Sequence, residues 1–348
     1  QCVAYDKFYT IRKAEVIQFS IWWECNNISP QPDGCDDVVE PTADVLNRIY
    51  DWPAHGDVSL EQDFYLAPFY DNPLGPNGVN GTYNPIDDGD TPWYDDILGR
   101  NDILCGIDRR ISLFGDETHW WVFNDKGNIH TETGGDPIGM EIRAQAFAFA
   151  TTDEVNRMTF YNYELINRGT QTLFNTYFSQ YLDADIGNAQ DDYAGCDVSR
   201  GLGYMFNGDL NDETASGTTG YGDNPPAIGV DFFEGPYQDA DNKDNVGPYF
   251  DSVAGVIITP TVLEATNDDG IVYSGIGIGY SDSIDDNERY GMRGFAYYVN
   301  GGAATQSDPS SAAQYYNYMQ GLWRFGDDTY FGGTGFAGST GATNIPSD

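Results

Sequence analysis

Positive charge is what this chain has least of. Four of its 348 residues are lysine, and Lys plus Arg total 16 against 55 Asp plus Glu, a formal net charge of −39. Nucleic acid and anionic membranes would be repelled by such a surface, so no nucleic-acid partner is expected and cations are the natural partners. Apolar runs of the ~20 residues that a spanning helix needs are also missing, which predicts no membrane insertion. Histidine is nearly as scarce. His55, His119 and His130 are the full set, and none stands in an HExxH or an i, i+4 pair that would place two imidazoles on one metal. The chain has no GxSxG, no CxxC and no repeat of fixed period. Gly275, Gly277 and Gly279 alternate with isoleucine as in a strand close to another backbone, without the helix that a phosphate loop requires.

Against these absences stands 40% apolar content with 15% aromatics, too hydrophobic for a disordered chain. The stretch from Trp120 to Tyr181 carries the fold signal. Between Ile138 and Ala150 side chains alternate in strand period, Ile138, Met140, Ile142, Ala144, Ala146 and Ala148 on one side, Glu141, Arg143, Gln145, Phe147 and Phe149 on the other. Arg157–Asn167 and Thr172–Leu182 read as two further strands joined by a turn at Asn167–Thr170. Large side chains on both faces predict a mainly β fold, an antiparallel β-sandwich of jelly-roll or Ig-like type. Other expected strands are Gly201–Phe206, Ala227–Phe233, Val256–Thr261, Ile271–Tyr280 and Met292–Asn300.

A few short helices surround this core. Thr10 is placed to cap one through Ile11–Trp23, Thr42 a second through Tyr50, and Asp308-Pro309 a third reaching Met319. Residues 51–114 are rich in Pro, Gly, Asn, Asp and aromatics and show no sustained period. So long an irregular region either serves binding or clamps over the core through its aromatic rings. The expected organisation is a helical and irregular region at 1–114, an undivided β core at 115–330, and a glycine-rich, flexible tail at 331–348.

Acidic clusters are the strongest chemical signal. Asp183, Asp185, Asn188, Asp191 and Asp192 begin like a calcium loop, with a glycine at 187 for the bend, yet lack the glutamate that closes an EF-hand. Asp239, Asp241 and Asp244 form a second cluster; Asp282, Asp285 and Asp286 form a third. Calcium takes six to eight oxygens from flexible loops, which makes structural Ca2+ the expected cofactor; the alternative is that these are solvated turn residues. A glycosidase needs two carboxyl groups about 5 to 9.5 Å apart, and among so many acids no pair can be nominated. No catalytic residue is therefore assigned. Cys25 and Cys35 flank a Pro/Gly-rich loop and are the expected disulfide among five cysteines; the alternative is five buried thiols. Asn27 and Asn80 stand in N-x-[ST] sequons, while Ser252 and Ser283 fit the short Asp-Ser-aliphatic pattern of bacterial O-glycosylation.

The blocks WWVFNDKGNIHTETGGDPIGMEIRAQAFAFATTDEVNRMTFYNYELINRG, NPPAIGVDFFEGPYQDADNKDN, DNERYGMRGF and YYNYMQGLWRFG resemble a group of large uncharacterised secreted proteins of Bacteroidota, cargo of type IX secretion. The resemblance covers most of the chain. It implies an extracellular or cell-surface location, and an internal or processed piece of a longer polypeptide. It brings no activity. The expectation that follows is a non-enzymatic structural or adhesive surface protein, self-assembling into filaments through the extended segments Gln1–Thr10 and Phe331–Ile345. A glycan-binding module using aromatics of the 52–94 region is the second reading, and a glycoside hydrolase the third.

Overall fold

A computed structural model describes residues 6–94, 111–127, 129–197, 200–215, 217–237, 242, 244, 249–251, 256–258, 278–280, 282–301, 304–330, 332, 334–336 and 339. The described chain is mainly β, with every sheet antiparallel and three short helices. It divides into two compact units, one of residues 1–129 and 137–172, the other of 130–136 and 173–348. The boundaries expected at 114 and 330 do not coincide with this division, and the stretch read as one core contributes to both units.

Unit 1 is built on a four-stranded sheet in the order β1 (Tyr9–Arg12), β4 (Glu117–Asn124), β5 (Met140–Ala148), β6 (Phe160–Asn167). Two-residue strands β2 (Phe69–Tyr70) and β3 (Thr91–Pro92) pair within the aromatic loop region. The alternation along Ile138–Ala150 does form a strand, and its centre at Arg143, Ala144 and Gln145 is the buried part. The expected strand at Thr172–Leu182 does not form: Asn175 adopts a left-handed φ of 49°, which interrupts an extended run, and Phe174 and Tyr181 stand exposed. The partner of β5 is instead β6, reached through a 3-10 turn at Glu154–Arg157.

Helix α1 spans Lys13–Asn27 and α2 spans Ala43–Tyr50. Thr42 caps α2 as expected, accepting from the Val45 amide. Thr10 does not cap α1. It lies in β1 with its hydroxyl 2.8 Å from His119 Nδ1, and the helix starts three residues later, where the Arg12 amide donates to Glu15 Oε2 at 3.2 Å. The sheet thus claims the residues that propensity assigned to a helix start. Ile11, Val16, Phe19, Trp23, Val45, Ile49, Trp52, Phe69, Tyr94, Leu113 and Trp120 make one contiguous apolar core. Trp52 and Tyr94 therefore belong to the core, so the irregular region clamps onto the fold through its aromatics. Cys25 at the end of α1 is bonded to Cys35, with Cα atoms 5.6 Å apart.

Unit 2 holds a three-stranded sheet ordered β11 (Ala227–Asp231), β8 (Leu202–Asn207), β7 (Asp192–Asp197), and the pairs β9 (Asn211–Asp212) with β10 (Gly222–Asp223) and β12 (Tyr249–Asp251) with β13 (Val256–Ile258). Met292–Asn300, expected as a strand, makes no ladder beyond an isolated bridge at Val299; its rings pack instead, Tyr297 against Trp323 and Tyr298 against Tyr318. Of the expected strand at Ile271–Tyr280, residues 271–277 lie outside the described residues, and only an isolated bridge at Ile278 is seen. Helix α3 spans Ala312–Met319, beginning after Ser311 and not at Pro309, because the Asp308 carboxylate is engaged by the Gly301 amide. In the tail, Phe336 stacks on Trp323 at 4.2 Å and Gly335 O accepts from Trp323 Nε1, so this part is a fastened segment and not a loose end.

Gly89 is a tight joint in unit 1. Its φ is +75° and a β-carbon there would lie 2.4 Å from the Trp23 ring. Gly89→Ala is expected to cost about 1–3 kcal/mol through overpacking and strain, read as a lowered urea midpoint with Trp23 fluorescence as the probe; an unchanged midpoint contradicts this packing.

Candidate functional site

The acidic residues named from sequence meet different fates. In unit 2 the turn before β7 folds over itself because Gly187, at φ +67°, lets the chain pass where a β-carbon would lie 1.9 Å from Asp212 Oδ2. The Ile186 amide donates to Asp192 Oδ2, and Asn188 Nδ2 donates to Asp191 Oδ1. Asp212, in β9 and 1% exposed, accepts from the amides of Asn188 and Tyr221. Asn207 faces Asp192 across the β7–β8 ladder, and buried Oδ1 atoms of both have no hydrogen-bond partner. Residues directly opposite in a ladder point to the same face. The two side chains thus share a face of the sheet, each with one acceptor oxygen that has no hydrogen-bond partner. The Asp192 carboxyl is pushed up by burial, and further by the charges of Asp191, Asp212 and Asp185. Asp183 stays exposed and outside this group. Asp212 and Asn207 were missed by sequence reading because they arrive from later strands.

Asp244 of the second cluster meets the third. Asp244 Oδ2 accepts from the Ser283 amide, and Asp286 Oδ1 accepts from the Asn242 amide, so segments some forty residues apart interlock. Asn287 Nδ2 donates to Asp282 Oδ2. Asp285 is exposed. Asp239, Asp241 and Ser252 lie outside the described residues. Asn242, Ser283 and Asp286 all hold positive φ, at 60°, 71° and 57°, a conformation that non-glycine residues adopt only when their surroundings enforce it.

Two carboxylates of unit 1, with a third in the same loop, are buried and are not singled out by the sequence. Asp88 and Asp90 are fully buried and Asp71 is 8% exposed, all within the Phe69–Pro92 loop. Asp90 accepts from the amides of Asn72 and Asn84; Asp71 Oδ2 accepts from those of Asn80 and Gly81; Asp88 accepts from the amide and side chain of Asn77. No Lys or Arg occurs in the sequence between Arg48 and Arg100, and among the described residues no ion pair reaches these three acids. Burial, opposed by the two amide bonds and helped by the charges of Asp71 and Asp88, lifts the Asp90 carboxyl to about 7. His55 supports the loop as a structural residue, its Nε2 accepting from the Tyr83 amide while Nδ1 lies 2.9 Å from Phe64 O.

Basic side chains gather elsewhere in unit 1. Arg143, 8% exposed, reaches Asp63 at 2.8 Å and Glu141 at 2.9 Å, and Arg168 bonds the same two acids. Beside them a small cleft lined by Leu66, Trp120, Arg143, Gln145, Asn162 and Glu164 has a volume of about 30 Å³, enough for ordered water. Among the described residues no three acidic, histidine or cysteine side chains stand together as a ready-made metal centre; the carboxylates are held by main-chain amides. Asn27, at the end of α1, donates to Trp23 O, while Asn80 and Ser283 are exposed. Cys196 is a free thiol. Comparison with family models, curated proteins and solved structures finds no match, so the geometry alone carries the functional reading.

Asp90 predicts a pH dependence. Its folded value near 7 lies above the ~3.9 of an unfolded aspartate, so across that window the folded chain keeps a proton that the unfolded chain has released, and stability falls as pH rises. In chelator-treated protein the urea midpoint is expected to drop between about pH 5 and pH 7.5, and Asp90→Asn to flatten that slope. Identical slopes in both proteins contradict the assignment.

Proposed function

We propose that this protein is a non-enzymatic extracellular structural or adhesive protein, of the kind secreted by Bacteroidota, with antiparallel sheets in a sandwich arrangement and a second unit braced by calcium. One observation carries the reading. Among the described residues of unit 2, Ile186 and Trp323 are the buried apolar side chains, while Asn188, Asn207, Asp212, Glu288, Ser307 and Thr329 are buried polar ones. Where polar side chains take buried positions in this way, a bound metal is one source of cohesion. Oxygen-rich turns suit calcium, which accepts carboxylates, Asn side chains and main-chain carbonyls, and extracellular modules bind it at about 10⁻⁴ to 10⁻³ M. The facing oxygens of Asp192 and Asn207, with Asp191 and Asp212 beside them, are the donor set this reading assigns, and the interlocked Asp244, Asp282 and Asp286 segments supply another.

Adhesion or assembly would use the sheet edges. β11 is an edge strand with Ile228 exposed, and β6 is an edge strand with Tyr161 and Leu165 exposed; such edges accept a strand from a second copy. A fibre joined through terminal segments requires Tyr9–Arg12 to leave β4 or Phe336 to leave Trp323. The glycan-binding reading keeps Phe64 and Tyr65, exposed and in ring contact with His55, but not Trp52.

The test pairs electron microscopy of native material with a calcium titration. At free calcium of 100 times Kd, linkage adds about 2.7 kcal/mol per site, so chelation is expected to lower the thermal midpoint of wild type and to lower it less in Asp192→Asn/Asp212→Asn. Filaments or ordered arrays support the structural role. Dispersed particles that bind glycans, with a midpoint indifferent to chelation, overturn it.

A further inference from the structure

We propose that Tyr181 and Tyr298 of unit 2 are an oxidative cross-linking site, a tyrosine pair placed to join through a carbon–carbon bond when the protein meets a peroxidase-type oxidant supplied with hydrogen peroxide. Their ring centroids lie 6.1 Å apart, with planes 16° from parallel. Aromatic pairs in contact have centroids about 4.5–7 Å apart, so these rings are neighbours with no side chain between them. Burial first, and then the Tyr181 hydroxyl, push the Tyr298 phenol above its ordinary range, so the phenol ends of the two side chains are the ends that meet. Phenoxyl radicals couple at that end, on the carbons ortho to oxygen.

The two partners differ in a way that suits the reaction. Tyr181 is 60% exposed, open to an oxidant in solution. Tyr298 is half-buried and backed by the Tyr318 ring at 5.0 Å, whose hydroxyl is held by Ser307 O at 2.9 Å and Thr305 O at 3.2 Å. Both tyrosines stand in segments without helix or ladder, where the backbone can give by the small distance that a new bond requires. The pair Tyr161 and Tyr163 shows what is missing when that freedom is absent. Its rings lie 6.4 Å apart and 8° from parallel, but both project from β6, where the strand repeat alone sets a spacing of about 6.6 Å per two residues and the ladder to β5 holds it.

The step balances. Each phenol gives up one electron and its hydroxyl proton, the two radicals join at their ortho carbons, and the hydrogens on those carbons move to the oxygens to restore two phenols. The pair has then lost two hydrogens, and one hydrogen peroxide that takes them becomes two waters. The bond would join segments more than a hundred residues apart, and cross-links that close long loops restrain the unfolded chain most. Nothing in this step depends on bound calcium or on filament assembly.

The test treats the full chain, dilute and with chelator present, with a haem peroxidase and limiting hydrogen peroxide. Proteolysis and mass spectrometry of the monomer fraction are expected to find a peptide pair joined through Tyr181 and Tyr298, lighter by two hydrogens than its separate parts, together with dityrosine fluorescence. Tyr181→Phe is expected to melt as wild type does, since the position is exposed, and to lose about tenfold of that fluorescence because the proximity of the pair is gone. Tyr161→Phe keeps the signal. Wild type unfolded in urea before oxidation is expected to lose the mapped product by a similar factor, and the purified cross-linked monomer to melt higher than untreated protein. Mapping in the wild-type chain decides the matter independently of how any variant folds. A monomer product that omits this pair, coupling only between chains, or equal yields of the 181–298 product with and without urea overturns the proposal.

Discussion

Buried negative charge without matching positive charge is the constraint that shapes this molecule. Sixteen Lys and Arg cannot neutralise 55 Asp and Glu, and the fold uses its cations at half-exposed places. Arg12 meets Glu117, Arg48 meets Glu15, and Arg200 meets Asp197; exposed pairs of this kind add little to stability. Around Arg143 and Arg168 cations enter a semi-buried network, where Glu164 is pushed up, by burial first, and Asp63, against the opposing effect of burial, is drawn down by the guanidiniums. The acids at Asp71, Asp88, Asp90 and Asp212 are left to main-chain amides. Each such carboxylate organises the turn around it, because every amide it accepts from fixes a backbone direction.

That division of labour separates the two units energetically. Unit 1 has what unit 2 largely lacks among the described residues, a contiguous apolar cluster running from Ile11 through Trp23 and Trp52 to Trp120. Burying each of its large side chains is worth roughly 1.5–3 kcal/mol, so an acidic loop laid over it is supported whether or not its charge is compensated. In unit 2 polar side chains occupy the buried positions, and aromatic contacts such as Trp323 with Phe336 and Tyr298 with Tyr318 lie among them. Stability there depends on the pairing of polar groups, which is sensitive to pH and to ions in a way that hydrocarbon burial is not.

Period-two alternation made β5 legible, and the capping residue made α2 legible, since both signals are local. The strand at Thr172–Leu182 was misread because one residue, Asn175, leaves extended space, and side-chain pattern carries little information about a single φ. Thr10 was read as a cap when β4 had a stronger claim on it; the claim comes from Glu117–Trp120, more than a hundred residues away. Of the acids, Asn188, Asp191 and Asp192 were visible as a turn, whereas Asn207 and Asp212 join them only through the β7–β8 register and the β9–β10 pair. The Asp71–Asp90 loop went unremarked for a different reason. Its acids are spread among Asn, Pro and Gly, and nothing in such composition tells a buried turn from a solvated one.

Turn carboxylates and ligand carboxylates are the same residues in the same kinds of loop, so composition cannot tell them apart; burial together with an oxygen left over can. Asp183 and Asp285 sit in acidic runs and point to water, where high dielectric dissipates their charge. Asp71 sits in a run of neutral residues, and one oxygen has spent its bonding on the backbone while the other has none. A turn needs only the first of those oxygens. The second is buried and has no partner among the surrounding amides. Burial and charge balance, and not the density of aspartate, are therefore what distinguish one acidic loop of this chain from another.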